Sequence, residues 1–252
     1  MLDLPFDVTV YAVAAVTVAV GYFIFAITGF GAALLTVPML SHFLPLPFVL
    51  PLAVLLDVGA SLVVGIRFHR DADWRELKWM VPFSFGGAVL GVTLLVNLPR
   101  EAALLGLGVL LILYGVYSLR QGTHFQRLSG VWAPVSGGAG GVMGTLFGIG
   151  APPYAIYLAR RMEDKAALRA TLSTMVLAST GMRLTVFAVA GLVLKDRLLA
   201  FALLFPFALA GLWAGQRLHV ALPRARVLGA ISALLIVSGA SIVARAVGAA
   251  LA

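Results

Sequence analysis

Two charged side chains stand deep inside apolar stretches, Asp57 within Leu52–Gly65 and Arg183 within Val176–Gly191. On insertion scales a charge at the centre of a membrane helix costs about 2.5–3.5 kcal/mol, so each needs a partner or a task. A guanidinium presents a planar fork of donors that matches the edge of an oxyanion, which makes Arg183 a candidate anion ligand. Desolvation favours the neutral form of any carboxyl, which makes Asp57 a candidate carrier of a coupling proton. A third reading pairs the two as a structural lock.

Two glycine motifs interrupt long apolar runs: Thr28-Gly29-Phe30-Gly31, followed by Pro38, and Phe147-Gly148-Ile149-Gly150, followed by Pro152-Pro153. A broken membrane helix frees backbone N–H and C=O groups that must find partners. A restarting helix offers an anion its free N–H donors and the positive end of its dipole. Thr28, Gly29, Gly31, Gly148 and Gly150 therefore join Arg183 as candidate substrate-binding residues, in competition with a reading in which the glycines only let helices pack closely. For Gly137, Gly140, Gly141 and Gly144, spaced as small-xxx-small ladders, packing is the preferred reading. Ser61 and Thr180 each follow their glycine motif by 30 residues and complete the candidate set. Thr36, Thr145, Ser173, Thr174 and Ser179, with Tyr154 and Tyr157, are weaker candidates, because a hydroxyl in a membrane helix often bonds the carbonyl one turn back.

Other chemistry is absent from the sequence. There is no Walker A motif, no H-E-x-x-H and no G-x-S-x-G, and the four histidines are far apart. The chain has no cysteine, which excludes disulfides and thiolate metal sites. No cofactor and no metal are expected.

The elements that position these residues must be membrane helices. Apolar residues make up 62% of the 252 positions and charged residues 11%, too few to cover a surface facing water. The apolar runs are continuous rather than alternating, which argues against a barrel. Eighteen bases against ten acids give a net charge of +8. The bases stand singly or in pairs between apolar runs, as topology-setting residues do, so nucleic acid is not an expected partner. The N-terminus Met1-Leu2-Asp3-Leu4-Pro5-Phe6-Asp7 has two acids and no base. It lacks the positive region of a cleavable signal, so the first segment is expected to be retained.

Apolar segments fall at about residues 8–43, 47–66, 77–97, 101–119, 129–159, 168–193, 198–216 and 225–248. Runs 8–43 and 129–159 are too long for one ordinary span of about 20 residues and too short for two. Gly31 and Gly150 are 119 residues apart, close to half the chain. This predicts a duplicated four-segment unit, residues 1–124 and 125–252. Broken segments at matching places in two halves are the pointer to a transporter's binding site. With every segment a single pass, and Arg183 left out because it lies within a span, Lys and Arg divide nine to eight between the two sides. With both long runs as hairpins and the N-terminus outside, they divide thirteen inside to four outside. Only the second arrangement obeys the positive-inside rule, and it makes the repeats inverted.

The stretches Gly29-Phe30-Gly31-Ala32-Ala33-Leu34-Leu35-Thr36-Val37-Pro38 and Gly140-Gly141-Val142-Met143-Gly144-Thr145-Leu146-Phe147-Gly148-Ile149-Gly150-Ala151-Pro152 resemble the TauE/SafE family. These are bacterial sulfite exporter-like permeases whose two halves each carry a glycine-rich motif followed by a proline. The resemblance in layout runs over nearly the whole chain. Ala32-Ala33 and Ala151-Pro152 stand where the family's motif has more glycine. The resemblance implies export or uptake of sulfite, organosulfonates or related small anions.

The expectation is thus an all-α membrane protein, a polytopic helical bundle of about eight hydrophobic segments in two inverted repeats, each opening with a broken hairpin helix. Its expected role is a secondary carrier in the cell inner membrane, moving a small sulfur-containing anion by alternating access. Its expected partners are the anion, the lipid bilayer and a coupling ion, H+ or Na+. The alternatives are a channel-like or accessory subunit of a larger complex, or an intramembrane enzyme, which would need a reactive cluster that the sequence does not display.

Overall fold

The computed structural model describes residues 7–28, 32–64, 72–119, 128–217 and 224–251. Among the described residues there are ten helices: α1 (Val8–Thr28), α2 (Ala32–Ser41), α3 (Leu46–Val64), α4 (Trp74–Asn97), α5 (Arg100–Leu119), α6 (Trp132–Phe147), α7 (Ala151–Ala159), α8 (Lys165–Val189), α9 (Lys195–Arg217) and α10 (Arg224–Leu251). None of the described residues forms a strand. Helices α1, α4, α5, α8 and α9 are each long and apolar enough to cross a membrane.

Each over-long apolar run holds two helices that pack on one another, α1 with α2 and α6 with α7, and the second run breaks at Gly148. In α1 and α2, Gly21 lies against the Thr36 side chain and the Ala32 carbonyl. In α6 and α7, Gly140 lies under the Tyr154 ring, and Ser136 donates 2.9 Å to the carbonyl of Pro153. Helices α2 and α7 have 10 and 9 residues; at 1.5 Å per residue each is about 15 Å long, half the hydrocarbon thickness.

Helix ends are set by local chemistry. Asp73 starts α4, its Oδ1 accepting from the Arg75 N–H at 2.8 Å, as an N-cap acid does. Helix α8 ends at Gly191, whose φ of 69° lets the Leu192 N–H reach back 2.9 Å to the Phe187 carbonyl.

The chain forms two compact units, each drawing on both halves of the sequence: residues 1–53, 97–122 and 194–252, and residues 54–96 and 123–193. The first unit holds α1, α2, the start of α3, α5, α9 and α10. It is built on two helix pairs, α1 with α9 and α5 with α10. Gly211 and Gly215 on α9 press against the Ala19 and Phe23 carbonyls of α1, and Gly108 and Gly239 face each other across α5 and α10. Lipid tails are as apolar as the helices, so such seams depend on close backbone approach through small residues.

The second unit holds the end of α3 with α4, α6, α7 and α8. Here both partners of the seam supply glycine: Gly137 and Gly141 on α6 press against the Met80 and Ser84 carbonyls, while Gly87 and Gly91 on α4 press against Gly138 and Val142. Leu77, Met80, Ala133, Tyr154, Tyr157, Leu158 and Met175 form the buried core beside it. Leu90 and Val96 on α4 stay exposed, as a lipid-facing side requires.

Candidate functional site

The tip of the second hairpin is a turn only glycine makes readily. Gly148 has a φ of 76°, a left-handed conformation that L side chains resist. Its N–H still bonds the Gly144 carbonyl at 3.0 Å, and the Ile149 N–H reaches the Met143 carbonyl at 3.1 Å. Gly150 then restarts the chain as α7, packed so closely on Gly140 and Gly144 that a Cβ would stand 2.8 Å from the Gly140 oxygen. Glycine is therefore needed at both positions for the backbone path.

Arg183 comes to this tip from α8. It is 6% exposed. Its Nη1 donates 2.9 Å to the Gly144 carbonyl, the same oxygen that takes the Gly148 N–H. Its Nη2 donates 3.2 Å to Thr180 Oγ1, and Thr180 in turn donates 2.8 Å to the Val176 carbonyl. Asp57 Oδ2 stands 3.8 Å from Nη2, longer than the roughly 2.7–2.9 Å of a charge-assisted hydrogen bond. Among the described residues the buried Nε–H has no acceptor, an arrangement proteins rarely leave without a reason.

Of the sequence-predicted residues, the fold thus brings together Gly148, Gly150, Thr180, Arg183 and Asp57. Ser61 donates 2.7 Å to the Asp57 carbonyl one turn back, so its hydroxyl is engaged on its own helix. Gly29, Gly31 and the Thr28 side chain lie outside the described residues. Among the weaker candidates, Thr36 and Thr174 bond the carbonyls of Ala32 and Ala170 one turn back, and Ser173 is exposed. Thr145 is fully buried, with its Oγ1 unpartnered.

Two of the four residues whose N–H groups open α7, Pro152 and Pro153, carry no N–H. The free N–H donors at this helix end are therefore those of Gly150 and Ala151, with the Arg183 guanidinium bonded to the Gly144 carbonyl close by.

Two further networks surround the site. Tyr154 OH lies 2.7 Å from Ser84 Oγ and 3.1 Å from Ser179 Oγ, all buried. Tyr157 OH donates 2.5 Å to Glu76 Oε2, and Arg161 Nε donates 2.8 Å to Glu76 Oε1. The hydrogen bond and charge of Glu76 raise the Arg161 pKa above its ordinary value. Sequence reasoning missed Ser84, Glu76 and the Gly144 carbonyl. Glu76 sits in Trp74-Arg75-Glu76-Leu77-Lys78, where it resembles an ordinary interfacial charge. A backbone carbonyl carries no signal in the sequence.

Residues 13–242 match the protein family described as sulfite exporter TauE/SafE. The chain belongs to the TauE/SafE family. A curated relative, the "Probable inner membrane transporter protein TsaS" of Comamonas testosteroni, is 30% identical over 195 residues, covering 76% of this chain and 81% of the relative. No solved structure matches the chain. TauE/SafE membership makes this a multi-pass membrane transporter rather than an enzyme.

Proposed function

We propose that this inner-membrane protein is a secondary carrier for a small sulfur-containing anion, sulfite or an organosulfonate, working by alternating access. The observation that carries the proposal is the Arg183 guanidinium, buried at a hairpin tip with its Nε–H lacking an acceptor. An unpaired buried donor costs free energy that an anionic acceptor would recover. The Nε–Nη2 edge is the bidentate face of the fork, and Asp57 beside it stands too far off to close it. Asp57 is then the resting counter-ion: as the anion takes the guanidinium, Asp57 accepts a proton and travels neutral.

The two-repeat arrangement is part of this reading. The first helix of each hairpin packs on the fourth main helix of the opposite half: α1 on α9 in one unit, α6 on α4 in the other. Such an exchange is what a two-fold repeat produces, and the thirteen-to-four charge division orients it as inverted.

The test is thermal stabilisation of the purified protein by sulfite, sulfate, methanesulfonate, taurine, acetate and chloride, repeated on Arg183→Lys and Asp57→Asn. A ligand that binds only the folded state adds about 2.7 kcal/mol at a hundred times its Kd. Expected is a selective shift with sulfur oxyanions that Arg183→Lys weakens. Asp57→Asn should keep binding and remove its pH dependence. The reading fails if no anion shifts the wild-type protein, or if Arg183→Lys leaves the shift intact.

A further inference from the structure

We propose that the buried hydroxyl chain Ser84–Tyr154–Ser179 is the specificity-determining part of the anion site, holding a third oxygen that a pyramidal oxyanion has and a planar carboxylate lacks. This rests on the anion-carrier reading above.

Three hydroxyls carry three protons. Their two mutual bonds, Ser84 to Tyr154 and Tyr154 to Ser179, consume two of them. Among the described residues these hydroxyls have no other hydrogen-bond partner, so one O–H is left over as a donor, and rotation about the C–O bonds moves it along the chain. The three residues are between 1% and 4% exposed, so water does not relieve that surplus.

The surplus lies on the helix that carries the guanidinium. Ser179 and Arg183 are four residues apart on α8, hence on one face, separated by about 6 Å of rise. Tyr154 stands one turn into α7, whose cap Gly150 packs on Gly144, the residue that binds Arg183. Its ring fits only because Gly140 has no side chain: a Cβ there would collide with the ring. That cradle fixes the hydroxyl with two χ angles to spare. Unpaired N–H and leftover O–H together demand an acceptor with at least two separated oxygens.

The geometry of the acceptor follows. A carboxylate spends both oxygens on the planar fork of the guanidinium. A sulfite or sulfonate places two oxygens on that fork and a third out of its plane, free for the hydroxyl chain. Phosphonates and sulfate share this property. Halides and carboxylates do not.

The experiment measures Kd for methanesulfonate and for acetate on wild type, Tyr154→Phe, Ser179→Ala and Ser84→Ala, with the unliganded unfolding midpoint recorded for each. Tyr154→Phe keeps the ring on Gly140 and removes only the hydroxyl. A hydrogen bond to a charged partner corresponds to roughly a tenfold to hundredfold change in affinity. Tyr154→Phe should lose that much for methanesulfonate and little for acetate, so the preference between the two collapses. A merely structural tyrosine would lower the midpoint and move both affinities together. Should Tyr154→Phe fail to fold, the serine variants decide: a loss of methanesulfonate preference in either supports the assignment, and unchanged preference in both overturns it. Wild-type binding with an unchanged preference in Tyr154→Phe overturns this inference and leaves the carrier reading standing. Absence of anion binding in the wild type removes both.

Discussion

The two compact units are assembled by the same device and differ in what they bury. In the unit built on α1–α9 and α5–α10, glycines let backbones touch, and the buried hydroxyls of Thr17, Thr36 and Ser41 bond carbonyls on their own helices. Its longer polar links lie at a helix end, where His42 meets Ser241 and Arg245 donates to the His42 carbonyl. In the unit built on α4–α6, the same close approach leaves room for side chains that bond between helices: Tyr154 with two serines, Tyr157 with Glu76, and Arg183 with Gly144. Small residues make the seam, and polar residues with long side chains make the chemistry. The pairing of α1 with α9 and of α6 with α4 shows that seam geometry alone does not bring a charge inside.

The sharpest break of that comparison is Arg183→Ala. It removes a buried guanidinium together with its bond to the Gly144 carbonyl and its pairing with Asp57, whose side chain is 20% exposed, and losses of hydrogen bonds to a charged group run to about 1.5–3 kcal/mol. Chemical unfolding in detergent should show it, and Arg183→Gln combined with Asp57→Asn should recover much of it. A loss below about 1 kcal/mol would mean that water reaches the pair.

Next come the seams. Gly141→Ala in one unit and Gly211→Ala in the other each put a Cβ onto a facing carbonyl, and overpacking of this kind costs about 1–3 kcal/mol. Similar losses in both would confirm the shared device. A tolerant Gly211 with an intolerant Gly141 would confine it to the second unit.

Tyr157→Phe removes a hydrogen bond to a buried carboxylate and should cost about 1.5–3 kcal/mol. Arg161→Ala removes a partner whose side chain is 35% exposed, and a screened pair of that sort contributes about 0–1 kcal/mol. The order Tyr157 above Arg161 is the prediction; the reverse order would make the ion pair, not the phenol, the tie between α7 and α4.

The smallest effects separate identical chemistry in different places. Thr36→Val and Thr180→Val each delete a hydroxyl bonded one turn back, and stability should change by no more than about 0.5–1.5 kcal/mol in either. Only Thr180→Val should also weaken anion binding, because Thr180 steers Arg183. Equal binding in both variants would remove Thr180 from the site.

Much of this was legible in the chain itself. Composition required lipid as solvent, because eighteen bases and ten acids cannot cover a surface facing water. Hydropathy located the helices, and the second glycine motif located the break between α6 and α7. The two deep charges, Asp57 and Arg183, were visible because a charge in an apolar run is expensive wherever it stands.

What only the tertiary structure decided is who meets whom. Gly144 is a packing glycine by its spacing and an arginine ligand by its carbonyl. Ser84 and Ser179 are ordinary hydroxyls until Tyr154, brought over by the fold of α7, stands between them. Pro152 and Pro153 mark the restart of a helix in the sequence, and only the fold sets that restart against Gly140 and Gly144, beside the Arg183 guanidinium. Burial energy depends on one residue and its surroundings in bulk, so one dimension records it. Hydrogen bonds depend on direction and on residues tens of positions apart, and only the folded chain supplies those.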